Sequence, residues 1–168
     1  MLILTRQFQV RIRRDSAPAR PRGAFTLVEL VMAMSIMAVL AAIAIPRYAS
    51  AISAYRARAA AQRIVHDLAQ VQSLARTVSS SRTIVFKSEG YVIANLRDLD
   101  TASTTYTVDL SAEPYNASIA SVNLKGGLRQ ITFDGFGVPD TAGNLTVRAG
   151  SSTRTVTIDE NTGKATVQ

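Results

Sequence analysis

Residues 22–30 read Arg-Gly-Ala-Phe-Thr-Leu-Val-Glu-Leu: one basic and two small residues give way to an apolar run that holds a single carboxylate. From Phe25 to Ile45 the only ionisable side chain is Glu29, with Thr26 and Ser35 mildly polar, and the run stops at Pro46 and Arg47. As a helix it rises about 32 Å, roughly the hydrocarbon thickness of a bilayer. A membrane span is therefore expected. Before it, residues 1–24 carry Arg6, Arg11, Arg13, Arg14, Arg20 and Arg22 against Asp15, a net +5. Positive flanks stay in the cytoplasm, which places the N-terminus there and the C-terminal part across the membrane. A secretory signal also begins basic and continues apolar, but its small residues follow the apolar region. Here Gly23 and Ala24 precede it, so a cut at either would leave the span on the mature protein.

A bare carboxylate in hydrocarbon costs several kcal/mol, so Glu29 calls for a partner. The plain reading is a helix-end residue that snorkels to the headgroups or helps cap the first turn. The functional reading is a contact with another chain. Ala33, Ala38, Ala41, Ala42 and Ala44 lie in the same run, and Ala38 with Ala42 forms a small-xxx-small pair suited to close helix contact.

The whole chain is +7, but without residues 1–24 it holds 13 basic and 11 acidic residues, +2 over 144 residues. The high isoelectric point thus comes largely from the leader and does not by itself imply nucleic acid. One anchored domain fits this length. The absence of cysteine excludes disulfides and thiol catalysis, so an exported domain must hold together by packing.

Beyond Pro46 the helical pattern becomes amphipathic. Ile52, Tyr55, Ala59, Ile64, Val65, Leu68, Val71, Leu74 and Val78 recur at three-and-four spacing, with Arg56, Arg58, Arg63, Asp67, Gln70 and Arg76 mainly between them. Strong helix formers flank Pro46, which is expected to kink one long rod of roughly 80 Å from Phe25 to Val78 rather than end it. Ser79, Ser80 and Ser81 mark its end; no paired base makes them nucleophiles. Strand-like runs follow at 83–86, 91–96, 106–110, 118–124, 130–133, 145–148, 154–158 and 164–167, the first two joined as a hairpin and the last two by the turn 159–163. The expected class is α+β: a long N-terminal helix, membrane-spanning then amphipathic, packed on a C-terminal antiparallel β-sheet domain. Its segments are 1–24 (leader), 25–46 (transmembrane and assembly helix), 47–81 (amphipathic helix) and 82–168 (periplasmic β domain).

The stretch Gly-Ala-Phe-Thr-Leu-Val-Glu, followed by an unbroken apolar helix and a proline 21 residues after the Phe, resembles the class III signal of type IV pilins and type II secretion pseudopilins. The resemblance implies that a membrane prepilin peptidase removes the leader just before Phe25, that Phe25 is then N-methylated, and that Glu29 is the assembly glutamate. The α-ammonium of a neighbouring processed subunit is its implied partner. The family usually has Gly directly before the cut, whereas Ala24 stands here and Gly23 one step earlier. Cleavage after Ala24 is favoured, because one extra residue would turn the amine by about 100° and shift it 1.5 Å relative to Glu29. Residues 64–86, Ile-Thr-Phe-Asp-Gly-Phe-Gly-Val-Pro at 131–139 and the closing hairpin resemble the GspH/FimT group of minor pseudopilins and minor pilins.

Catalysis has little support. His66, the only histidine, sits beside Asp67, and adjacent helical positions do not share a face. Asp134, Asp140 and Asn144 lie beside Gly or Pro or in turn-rich sequence, lack calcium-loop spacing and read as turn residues. No enzyme, cofactor or metal is expected. The preferred function is a minor pseudopilin, a structural subunit of a type II secretion pseudopilus that supports protein export. Its expected partners are the prepilin peptidase, other pseudopilins or pilins in a filament, and the inner-membrane assembly platform. It would be a single-pass inner-membrane protein before joining a periplasmic filament. The alternative is a minor type IV pilin that binds DNA for uptake. Against it, Lys125, Arg129, Arg148, Arg154 and Lys164 are balanced by Glu113, Asp134, Asp140, Asp159 and Glu160, while backbone binding needs a basic surface.

Overall fold

Thr26 starts the long helix. Its hydroxyl accepts the N–H of Glu29 at 3.2 Å and its carbonyl accepts the N–H of Leu30 at 3.1 Å, so the Thr-x-x-Glu spacing works as an N-cap. In this computed structural model, which describes residues 25–96 and 104–168, helix α1 runs Leu27–Val78 with Pro46 inside it. It ends in a Schellman motif: Ser80 N–H reaches Ala75 O at 3.2 Å, Ser79 N–H reaches Arg76 O at 3.3 Å, and Ser79 takes φ 49°. The serine triplet is thus the terminator that the sequence indicated, with a serine in the left-handed position where glycine is usual.

The chain falls into two units, Met1–Leu40 and Ala41–Gln168. In the first, every described residue from Phe25 to Leu40 is exposed. The second holds the rest of α1 and eight strands: β1 (Arg82–Phe86), β2 (Gly90–Ala94), β3 (Thr105–Asp109), β4 (Ser118–Leu124), β5 (Gln130–Phe133), β6 (Gly143–Ala149), β7 (Ser152–Ile158) and β8 (Ala165–Val167). They form two four-stranded antiparallel sheets, ordered β3-β2-β1-β5 and β4-β6-β7-β8. The division into two sheets is set by pairings between distant strands, β1 with β5 and β4 with β6, that no local pattern announces. β6 and β7 each begin two residues before the sequence-based bounds, because Gly150 at φ 53° makes a tight turn and the ladder continues to Ala149 opposite Ser152.

Alternation along the strands sends Ile84, Phe86, Tyr91, Ile93, Ile131 and Phe133 of one sheet and Leu145, Val147, Val156 and Ile158 of the other into one core. The helix contributes Ala57, Ala60, Ala61, Ile64, Leu68, Val71 and Ala75 to the same cluster. Three sequence expectations change here, one of them at the helix end, where Val78, placed on the apolar face, is exposed. Tyr55, placed on the apolar face, is 74% exposed, because it lies about 200° round the helix from buried Ala57. Asp67, placed among the polar positions, is 1% exposed. Asp67 is enclosed one residue from Leu68, where it meets the buried Tyr91 hydroxyl.

Candidate assembly site

At the N-terminal end of α1, Phe25 is 81% exposed and the Glu29 backbone is held by the Thr26 cap. The Glu29 carboxylate makes no hydrogen bond or ion pair with any described residue. Gly23 and Ala24, the other two residues of the expected processing site, lie outside the described residues. Along the span Ser35 returns its hydroxyl to Val31 O at 2.8 Å, satisfying the one mid-run hydroxyl within its own helix. Ala38 and Ala42 are both exposed, as are Leu27, Val28, Leu30, Val31, Met32 and the large apolar residues up to Ile45. The helix passes through Pro46, and Ser50 and Ser53 donate to Arg47 O and Ala49 O, each at 2.9 Å.

Within the second unit, strands and loops are fastened to α1 by two polar attachments. In the first, Asp67 Oδ2 accepts from Arg63 Nε at 3.0 Å and from the Tyr91 hydroxyl at 2.5 Å, while Arg63 Nη2 donates to the Tyr106 hydroxyl at 2.6 Å. Burial pushes the Tyr91 phenol well above its usual range, and its hydrogen bond to the Asp67 carboxylate raises it further. Tyr91 therefore stays a neutral donor. The other oxygen, Asp67 Oδ1, is buried with no hydrogen-bond partner. The four-residue spacing of Arg63 and Asp67 suits a helical ion pair, and the fold buries its carboxylate.

In the second attachment, Gln72 Nε2 donates at 2.7 Å to both Gly137 O and Thr162 O, and Arg76 Nε donates to Phe136 O at 3.0 Å. Two loops far apart in sequence are thereby held to one turn of helix. Gly137, at φ 77°, has no room for a Cβ beside the Arg76 side chain, and a Cβ at Gly135 would stand 2.9 Å from the Ser79 carbonyl carbon. These glycines explain the Asp-Gly-Phe-Gly spacing of residues 134–137: the loop must approach the helix end closely.

His66 is exposed. Asp134 Oδ1 accepts from Phe136 N at 2.9 Å and Val138 N at 2.7 Å, and Asp140 Oδ1 accepts from Thr132 N at 2.8 Å, so both carboxylates are spent on local backbone. Asn144 sits in β6 opposite Thr157 and Asn123. Among the basic residues, Lys125 pairs with Glu160, Arg129 Nε donates to Phe86 O at 3.3 Å, and Arg154 Nη1 donates to Thr153 O at 3.1 Å. The span thus offers an uncovered apolar surface with one carboxylate, and the second unit is packed around its own core.

Comparison with known families bears on both ends. Residues 60–162 match the family described as Type II transport protein GspH. Residues 19–45 match the Prokaryotic N-terminal methylation motif. No curated protein and no solved structure matches the chain.

Proposed function

We propose that this chain, which belongs to the Type II transport protein GspH family and is a pseudopilin or type IV pilin-like subunit, serves as a minor pseudopilin of a secretion machine. One observation carries the reading: the apolar helix from Phe25 to Ile45 is uncovered on all sides and its only charge, Glu29, lacks a partner among the described residues. Such a surface is tolerable first in lipid and then among other helices. In this reading residues 1–24 are the leader, cleavage after Ala24 leaves Phe25 as a methylated N-terminus, and Glu29 pairs with the amine of a neighbour. Residues 25–46 anchor and assemble, Pro46 bends the rod, residues 47–81 carry the head, and residues 82–168 form it in the periplasm. The assembly platform of the inner membrane would receive it. The role is structural, with no catalytic step assigned to it.

Two measurements test this. Mass spectrometry of the membrane-extracted protein should find N-methylated Phe25; an intact leader, or cleavage beyond the apolar run, would remove the basis of the class, while a mature Ala24 would change only the register. Deleting the gene should abolish export of folded proteins and spare DNA uptake. The reverse outcome would transfer the chain to the pilin reading.

A further inference from the structure

The face of α1 that points away from the core carries a cleft. Tyr55, Ala59, Gln62 and His66 recur at i, i+4, i+7 and i+11, one stripe of the helix, and Pro114 and Tyr115 stand beside it. Together with Arg63 they enclose about 410 Å³. The walls are two tyrosines, a proline and an alanine; the polar groups are Gln62, Arg63 and His66, and no carboxylate among the described residues lines the space. Arg63 uses Nε on Asp67 and Nη2 on Tyr106, which leaves donors of its guanidinium for a ligand. Its side chain is 37% exposed.

Among the described residues that line the cleft, the one formal charge is Arg63, whose Nε is paired with Asp67, and the neighbouring helix adds further arginines. Residues 47–66 hold Arg47, Arg56, Arg58 and Arg63 and no acidic residue, and the first carboxylate, Asp67, is turned into the core. Arg47, Arg56 and Arg58 make no side-chain hydrogen bond or ion pair among the described residues. Glu113 neighbours the Pro114–Tyr115 wall in sequence, but it is exposed and does not line the cleft. An occupant must therefore bring a negative charge and an apolar body. A lipid headgroup is poorly placed for this, because Tyr55 lies ten residues past Ile45, about 15 Å along the helix, and the headgroup layer is only about 5–7 Å deep. The volume suits one or two side chains, and exposed Tyr with Arg is the composition of protein-binding hot spots.

We propose that this cleft docks a carboxylate-bearing apolar segment of a neighbouring pilin-like subunit, the carboxylate facing Arg63 and His66 and the apolar part lodged between Tyr55 and Tyr115. The proposal rests on the assembly reading above and adds to it a contact outside the membrane. A photo-reactive benzophenone side chain placed at Tyr115 of the full chain, in its own membrane, tests it; a second chain with the probe at Met37 reports span contacts independently. The expected result is a Tyr115 adduct on another pilin-like subunit, at a peptide with Asp or Glu within a few residues. That adduct should fall about tenfold in Gln62→Glu and persist in Gln62→Lys, since Gln62 is exposed and makes no hydrogen bond among the described residues and the two variants differ mainly in charge at the cleft. Adducts on lipid or nucleic acid, no Tyr115 adduct while Met37 still crosslinks, or an adduct undiminished by Gln62→Glu would each overturn it. If Met37 is silent as well, the assembly reading has failed and the cleft proposal falls with it.

Discussion

The two halves of α1 invert the usual relation between hydrophobicity and burial. The first half is built of Leu, Ile, Val and Met, and none of its residues is buried; the second buries eight, of which four are alanine and one is Asp67. Large apolar side chains are thus exposed throughout the first half, while the second buries Ile64, Leu68 and Val71 alongside its alanines. The difference lies in what covers each half. The first carries its surface to lipid and to other helices, where bulk and one placed charge are useful. The second is covered by its own sheets, and polar side chains such as Gln72 and Arg76 reach the loops at residues 136–137 and 162.

Changing the one charge of the first half should break the comparison most strongly. Glu29→Ala should be processed and inserted, yet crosslinks between neighbouring spans should drop by roughly an order of magnitude, as expected when an intramembrane charge loses its partner. Undiminished crosslinking would reduce Glu29 to a helix-end residue and make the first half a plain anchor.

The corresponding charge of the second half acts within the chain. Asp67→Ala leaves the Tyr91 hydroxyl buried without its acceptor and Arg63 without its counter-ion. Breaking a buried pair costs about 3–5 kcal/mol, and the partly exposed Arg63 should hold the loss to about 3. Denaturant unfolding of the detergent-solubilised protein measures it, with span crosslinking expected to survive under native conditions. A loss below about 1 kcal/mol would show that Asp67 is an incidental burial.

A gain should be available where the second half ends. Ser79 holds φ 49° and, by its exposed position, gives up little as a side chain, so Ser79→Gly should stabilise by about 0.5–1 kcal/mol through relief of the left-handed strain. A lower melting temperature would mean that the serine side chain contributes to the cap.

The smallest effect is a pH response confined to the head. The hydroxyl and N–H of Thr162 hold the Asp159 carboxyl below its usual range. A depressed folded value means that the turn's contribution is present above the unfolded value, near about 3.9, and is lost as pH falls through the folded one. Amide exchange at Thr162 should therefore accelerate below about pH 4, with the α1 amides of residues 57–75 unaffected. Simultaneous loosening of both would tie the helix attachment to this turn.

Much of this was legible from residue order alone. The Thr26-x-x-Glu29 start, the apolar run to Ile45, the serine stop, and β4 and β5 with their bounds all follow from local rules of capping, length and alternation, because each depends on residues a few positions apart. The face buried by the second half of α1 was misread at Tyr55, Asp67 and Val78. Hydrophobicity predicts which side chains prefer to leave water, but burial depends on which partner covers each face, and the Tyr91 hydroxyl that meets Asp67 lies 24 residues away in sequence.

The sequence by itself determined the membrane-spanning length, its basic N-terminal flank, the position of its single carboxylate and the continuity of one long helix, all of them properties of local composition and period. Tertiary structure alone decided the split into two sheets, the Asp67–Tyr91–Arg63–Tyr106 attachment, the double hydrogen bond of Gln72 to Gly137 and Thr162, and the cleft beside Tyr55. Each of these joins groups tens of residues apart, and no local propensity encodes such a meeting: it exists only once the chain has closed those loops and packed both sheets on the helix.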